Sequence, residues 1–184
     1  MTSTTIAAAS PDEAVTLRTA RLTLRPYELD DADALARALG DIEVARWLAR
    51  VPHPYTRDDA TGFVEASRQA GPASPGFAIL FGGRLVGGIG LRQSDDTTEL
   101  GYWLDRAHWG RGLMTEAATA VVAHGFGAMG LAEIRSGVFV GNEASLAIQK
   151  RLGFEIVGRH MVHSIARGES VLHIDTRLVA SRKL

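Results

Sequence analysis

Residues 97–117 read "TTELGYWLDRAHWGRGLMTEA", a strand-like alternation that runs into a loop with two glycines around an arginine and then into a helical pattern. A strand, a glycine loop and a helix start in that order form an anion site. The first helical N–H groups have no partner within the helix and point outward, and the helix dipole adds partial positive charge there. Gly110 and Gly112 let the backbone approach a phosphate closely, with Arg111 or Arg106 beside it. The same glycines would also serve a tight turn with no ligand. Two other phosphate loops do not fit. No GxxxxGK run followed by Ser or Thr occurs, and a dinucleotide GxGxxG fails at its third glycine, where Thr115 stands.

Around this segment the pattern alternates helices and strands. "TLRTARLTLRPYE" (16–28) reads as one half-buried strand stopped by Pro26, followed by a helix from Asp30 as N-cap to Gly40. A short helix over 43–48 and a longer one over 56–69 come next, then a loop at 70–76. Residues 77–81 and 84–92 form a hairpin across Gly82-Gly83, a pair suited to a tight primed turn. Residues 97–105 add the fourth strand, and the helix after the loop runs over 113–127. A strand at 132–140, a helix at 143–152 and strands at 154–164 and 170–179 complete one α/β domain, a mixed sheet of about seven strands flanked by helices. Residues 1–15 are expected to be a small, polar, mobile leader and 16–184 the domain.

The 184 residues suit a single domain. A net charge of −1 and no basic run interleaved with aromatics argue against a nucleic-acid partner. With no cysteine there is no disulfide, thiolate metal site or cysteine nucleophile. The leader lacks the form of a signal peptide, and the apolar run 117–129 is too short for a bilayer, so no membrane is expected and the cytoplasm is the default. The six histidines show no metal-ligand spacing and read as ordinary structural or surface residues, with His53 and His163 as the candidates for a substrate cleft.

The strand "ELGYWLD", the loop "HWGRGLMTEA" and the segment "NEASLAIQKRLGFEIVGR", with "TARLTLRPYELDDADAL" and "HPYTRDDATGFV" before them, resemble the GNAT N-acetyltransferases that use acetyl-CoA. They resemble more narrowly the Rim-type branch that acetylates ribosomal-protein N-termini. The resemblance covers roughly residues 16–180 in order. Against the family loop Gln/Arg-x-x-Gly-x-Gly/Ala, Trp109 takes the first position, Gly112 the fourth and the bulkier Met114 the sixth. The resemblance implies that the backbone from Gly110 through Arg111, Gly112, Leu113 and Met114 to Thr115 holds the CoA pyrophosphate. It also implies a sheet splayed between the fourth and fifth strands, where the strand near Trp103 and Leu104 pairs with the pantetheine arm. It assigns Asn142 to the CoA arm and Ser145 to the neighbourhood of the thiol. The usual tyrosine acid four positions beyond Ser145 is Gln149 here, which has no proton to give. From the residues alone, Asn142 also reads as an N-cap and Ser145 as an exposed first-turn residue. Lys150 and Arg151 could meet CoA phosphates or simply favour the helix end.

The reaction so implied is attack of a neutral amine on a thioester. Glu99, on the strand feeding the loop and on one face with Gly101 and Trp103, is the candidate base, and a solvated or ion-paired glutamate is the competing reading. An α-amine of pKa ~8 is neutral about one time in ten at pH 7 and a lysine of ~10.4 about once in 2,500, a gap of roughly 3.3 kcal/mol that favours an α-amine acceptor with a weak base. The favoured acceptor is therefore a protein or peptide N-terminus. A small-molecule amine is the alternative, which a deep acidic pocket would favour; Asp30, Asp31, Asp95 and Asp96 could supply one. A noncatalytic acyl-CoA-binding module is the third reading. Oligomeric state is open, the terminal strands being the place for a homodimer edge.

Overall fold

In the computed structural model, residues 15–94 and 96–180 are described; residues 1–14 of the expected leader, and Asp95, lie outside them. The strands are β1 (Leu17–Arg18), β2 (Leu22–Pro26), β3 (Gly76–Phe81), β4 (Arg84–Ser94), β5 (Thr97–Leu104), β6 (Glu133–Phe139), β7 (Glu155–Ser164) and β8 (Glu169–Val179). The helices are α1 (Ala32–Leu39), α2 (Ile42–Ala45), α3 (Arg57–Gln69), α4 (Leu113–Gly127) and α5 (Glu143–Arg151). All eight strands form one sheet in the order β1-β2-β3-β4-β5-β6-β8-β7.

The expected first strand is two. The chain turns at Thr19, whose hydroxyl accepts the Leu22 N–H at 3.0 Å, and β1 folds back antiparallel on β2 with Leu17 opposite Leu24. Asp30 is not the cap expected before α1. Its neighbour Asp31 is buried instead, accepting the Glu28 N–H at 2.9 Å and two bonds from the Arg25 guanidinium at 2.8 and 2.9 Å. α3 starts as its sequence requires, with the Thr56 hydroxyl accepting the Asp59 N–H and the Asp59 carboxylate accepting that of Thr56. The Gly82-Gly83 turn has φ of 57° and 76°, the left-handed values of a primed hairpin, and closes β3 on β4 with Phe81 opposite Arg84.

Apolar side chains alternate across the sheet and build a core on each face. On one face Leu91, Leu100 and Leu104 pack with Leu113, Ala117, Ala118 and Val121 of α4. Beyond them Val138 and Ile174 pack with Leu146 of α5. On the other face Tyr27, Ala78 and Trp103 pack with Leu35 and Leu39 of α1 and Val64 of α3. Thus α4 and α5 cover one side, α1 and α3 the other.

Between β5 and β6, the only parallel neighbours among the described residues, the register holds one pair, Glu99 opposite Arg135. Above it the strands part, and the sheet opens between the fourth and fifth expected strands. A buried chain of hydrogen bonds keeps the halves together at the base of this opening. The Thr176 hydroxyl (β8) donates to Gln149 Oε1 at 2.7 Å, Gln149 Nε2 donates to Ser136 Oγ at 2.9 Å, and Ser136 Oγ donates to the Leu100 carbonyl at 2.8 Å. Gln149 is 1% exposed, so each of its bonds forms away from competing water. Replacing it by leucine, Gln149→Leu, leaves Thr176 and Ser136 short of partners and should cost about 3 kcal/mol of stability. Urea unfolding checks this, and an unchanged midpoint would remove the bridge from the account.

Candidate functional site

One cleft of about 990 Å³ runs from the glycine loop, along the opening between β5 and β6, to the face covered by α1 and α3. Its wall includes Glu99, Trp103, Leu104, Trp109, Gly110, Gly112, Leu113, Met114, Thr115, Asn142 and Ser145, whereas Arg106, Arg111, Lys150 and Arg151 are not part of it.

At the loop, Gly110 and Gly112 have φ of 71° and 72°. Left-handed backbone is sufficient reason for both glycines, since a Cβ at Gly110 would meet nothing within 4 Å and one at Gly112 only Arg21 Nη2 at 3.6 Å. The tight turn and the close approach are thus one feature: the αL conformation at Gly112, the N-cap of α4, aims the first helical N–H groups into the cleft. Met114, whose bulk stands at the sixth loop position, is 5% exposed and packs in the core beside the cleft. The loop is tied down from the β1–β2 turn. Glu116 accepts from the Thr19 hydroxyl at 2.6 Å, from the Arg21 N–H at 2.8 Å and from Arg21 Nε at 2.7 Å, and Arg21 Nη1 donates to the Arg111 carbonyl at 3.0 Å. Burial pushes the Glu116 carboxyl up, but these partners outweigh it and hold it below the usual glutamate range. The Arg111 guanidinium stacks 4.8 Å from the Phe81 ring, and Arg106 leans to Asp41 at 3.9 Å. Lys150 and Arg151 end α5 away from the cleft wall.

The opening exposes backbone groups on β5. The Leu100 carbonyl faces β6, where Ser136 reaches it, so by two-residue alternation the N–H and C=O of Tyr102 and Leu104 face the same way. Leu104's carbonyl is taken by the Trp109 indole N–H at 2.7 Å. The groups of Tyr102 are left to an extended, amide-bearing ligand, as an added strand would take them. Trp103 itself faces elsewhere. Its indole packs beside Tyr27 on the α1 side, over the bare Gly88, and burial pushes the Tyr27 phenol well up.

Across the opening, Asn142 caps α5 by accepting the Ser145 N–H at 3.2 Å, and Ser145 Oγ lies 2.8 Å from the Tyr102 hydroxyl. Burial raises the Tyr102 phenol above its ordinary value against opposing bonds from Ser145 and Gln149. A phenol beside Ser145 thus comes from a strand rather than from the helix position occupied by Gln149. Tyr102 escaped the sequence reading because its partner lies forty-three residues away; its only local signal was parity with Leu100 and Leu104.

On the opposite face Glu99 Oε2 meets two guanidinium groups, Arg92 in a short contact and Arg50 at 3.6 Å. The ion-paired reading of Glu99 is the one seen. Of the six histidines, neither His53 nor His163 lines the cleft, and His173 does. Asp30, Asp31 and Asp96 are likewise absent from its wall.

The sequence of residues 21–155 matches the model of the acetyltransferase (GNAT) domain family. The chain is 29% identical over 162 residues to "Uncharacterized N-acetyltransferase p20" of Bacillus licheniformis, covering 85% of this chain and 91% of that one. It is 29% identical over 141 residues to "Putative ribosomal N-acetyltransferase YdaF" of Bacillus subtilis, covering 72% and 77%. The fold superposes on Mycobacterium smegmatis RimJ, solved with CoA-disulfide, with a TM-score of 0.78 at 22% identity, covering 92% and 88%. The chain therefore belongs to the GNAT family. It is an N-acetyltransferase whose cosubstrate is acetyl-CoA. No helix among the described residues is long and apolar enough to cross a membrane.

Gly112→Asp places a side chain on left-handed backbone and a negative charge at the N-terminus of α4. Calorimetry should find no acetyl-CoA binding by this variant while its far-UV spectrum stays that of the parent; retained affinity would remove the loop from the cofactor site.

Proposed function

We propose that this N-acetyltransferase acts in the cytoplasm on the α-amine of a protein or peptide. The observation that carries the choice of acceptor is the charge of the cleft wall. Its charged residues are Arg50, Arg92, Glu99 and Glu143, and Glu99 is already paired with both arginines. A wall of balanced charge offers little to a polycation such as a polyamine or aminoglycoside, and an open cleft of this size admits a chain end. The likeness to YdaF supports the same reading.

Acetyl-CoA supplies the activated acetyl group. The N–H groups from Gly110 to Thr115, beside Arg111, hold its pyrophosphate, Asn142 and the edge of β5 from Tyr102 to Leu104 hold its arm, and Trp109 fixes the loop to that edge. The Tyr102 N–H, facing the opening, stabilises charge developing on the carbonyl oxygen. Ser145 and Tyr102 form one hydroxyl pair that returns a proton to the departing sulfur. Glu99, on the other face, is ion-paired with Arg92 and Arg50 and lines the acceptor side of the cleft.

Mass spectrometry of the protein with acetyl-CoA and a panel of N-terminal peptides, polyamines, amino acids and aminoglycosides tests the acceptor. Acetylated peptide α-amines are expected, and labelling confined to small molecules would overturn the assignment. Tyr102→Phe should lower kcat by about 100-fold with acetyl-CoA affinity retained. Steady-state kinetics and calorimetry on the same sample check it, and full activity would exclude the hydroxyl pair from the proton transfer.

A further inference from the structure

The face of the sheet that receives the acceptor carries a second arrangement of groups. Continuing the parallel register upward from Glu99 and Arg135 brings Gly101 opposite Gly137 across the opening. Both residues share their strand's face with Glu99 and Arg135, and neither has a side chain, so the opening is bare there and the two faces communicate. A Cβ at Gly101 would meet nothing within 4 Å. At Gly137 the space is filled from β8: a Cβ there would stand 2.0 Å from His173 Cε1 and 2.7 Å from Nε2. The imidazole of His173 therefore lies over the bare Gly137, in the cleft wall and beside the window in the sheet.

That ring is held from three sides. Its Nδ1 lies 2.9 Å from Asp175 Oδ1, two residues along the same face of β8. It packs edge-on against Phe139 with centroids 5.6 Å apart, and against His160 of β7 at 5.4 Å. The other oxygen of Asp175 lies 2.8 Å from His160 Nδ1. Burial pushes the Asp175 carboxyl up, and the bonds from both histidines more than reverse this, so it is ionised and accepts only. A carboxylate that accepts from both rings requires the proton on each Nδ1, so in the neutral tautomer it is Nε2 of His173, over Gly137, that carries the lone pair.

We propose that His173, oriented by Asp175, is the group that takes the proton from the acceptor amine. This rests on the acetyl-transfer reading above and assigns its missing base. The nitrogen–carbon bond forms as the carbon–sulfur bond breaks. Before that attack one proton of the bound ammonium passes to His173 Nε2, which leaves a neutral amine; the departing sulfur then takes a proton from the Ser145–Tyr102 pair, the second amine proton returns to that pair, and His173 releases its proton to solvent. Base and acid then stand on opposite faces of the sheet, joined through the window between Gly101 and Gly137. Charged groups that bear on His173 are Asp175 of its own strand, His160 of β7, and Arg167 of the β7–β8 turn, whose guanidinium lies 5.3 Å from the Phe139 ring. The three possible ligand atoms of His160, His173 and Asp175 also lie within 4.8 Å of one another, so a metal is the competing occupant of the cluster.

His173→Gln should lower kcat on a peptide acceptor by about 100-fold near neutral pH and leave acetyl-CoA affinity unchanged, and Gly137→Ala, whose Cβ displaces the ring but also crowds the Ile174 carbonyl at 2.8 Å, should do the same where its urea midpoint stays that of the parent. The deficit of His173→Gln should shrink as pH rises past the α-amine pKa of about 8, where the amine is already neutral. Equal loss at all pH values, or activity close to the parent in both variants, would overturn the assignment, as would inactivation by EDTA that zinc restores. Nitrogen-15 spectra of the histidine rings give a readout that needs no turnover. His173 should be the Nδ1–H tautomer in the parent and lose that preference in Asp175→Asn, and an Nε2–H tautomer in the parent would overturn the proposal. If the parent acetylates no peptide yet shows the Nδ1–H tautomer, it is the acceptor assignment that has failed, and the ring geometry stands.

Discussion

A buried glutamine holds this sheet together where the sheet is weakest. β5 and β6 share one register pair before they part, and an opening of unpaired backbone would invite further separation. Gln149 answers with both ends of its amide, taking the Thr176 hydroxyl on one side and giving to Ser136 on the other, while Ser136 passes the bond to Leu100. The chain ties α5, β8 and β6 to β5. It also explains the glutamine where the family resemblance places an acid: the position is buried at the junction of three strands, and an amide can donate and accept at once.

The opening sets the direction of the chemistry. α4 and α5 cover one face, and from that side come the free N–H groups of the loop, the Asn142 cap and the Ser145–Tyr102 pair. α1 and α3 cover the other, where Glu99 with its arginines and His173, bonded to Asp175, line the cleft. On the proposed reading a thioester arm and an amine meet where the strands have separated. The parted strands are thus the element that makes a sheet into a transferase, and the core on each face keeps them parted by fixing β5 through α4 and β6 through α5.

Elements with a strong local cause were legible. The Gly82-Gly83 hairpin, the span of α4 and, to within one residue, that of α3 follow from residues adjacent in sequence, and the structure has them where the pattern put them. The residues that the resemblance assigns to the cofactor come from a contiguous signature, and all of them but Arg111 line one cleft. Local reasoning failed where a distant partner decided the outcome. The first strand divides because Glu116, almost a hundred positions away, fixes the turn at Thr19. Asp31 rather than Asp30 is the ordered acid because Arg25 reaches it. His53 and His163 were singled out in a sequence that cannot show which histidine faces the opening. The spacing of His173 and Asp175 puts both on one face of a strand, a signal that acquires meaning only beside Gly137.

What the sequence by itself determined is the alternation that fixes strands and helices, the glycines whose left-handed backbone forms the loop, and the family to which that order belongs. Each depends on residues within a few positions of one another, where backbone sterics and side-chain periodicity act directly. Only the tertiary structure decided that Tyr102 meets Ser145, that Gln149 closes the base of the opening, and that the ring of His173 covers a glycine on the neighbouring strand. These pairings join residues 13 to 43 positions apart across strands and a helix or, for His173 and Gly137, strands adjacent in the sheet but not in the chain. Such contacts exist only once the packing on both faces has set which strands lie side by side.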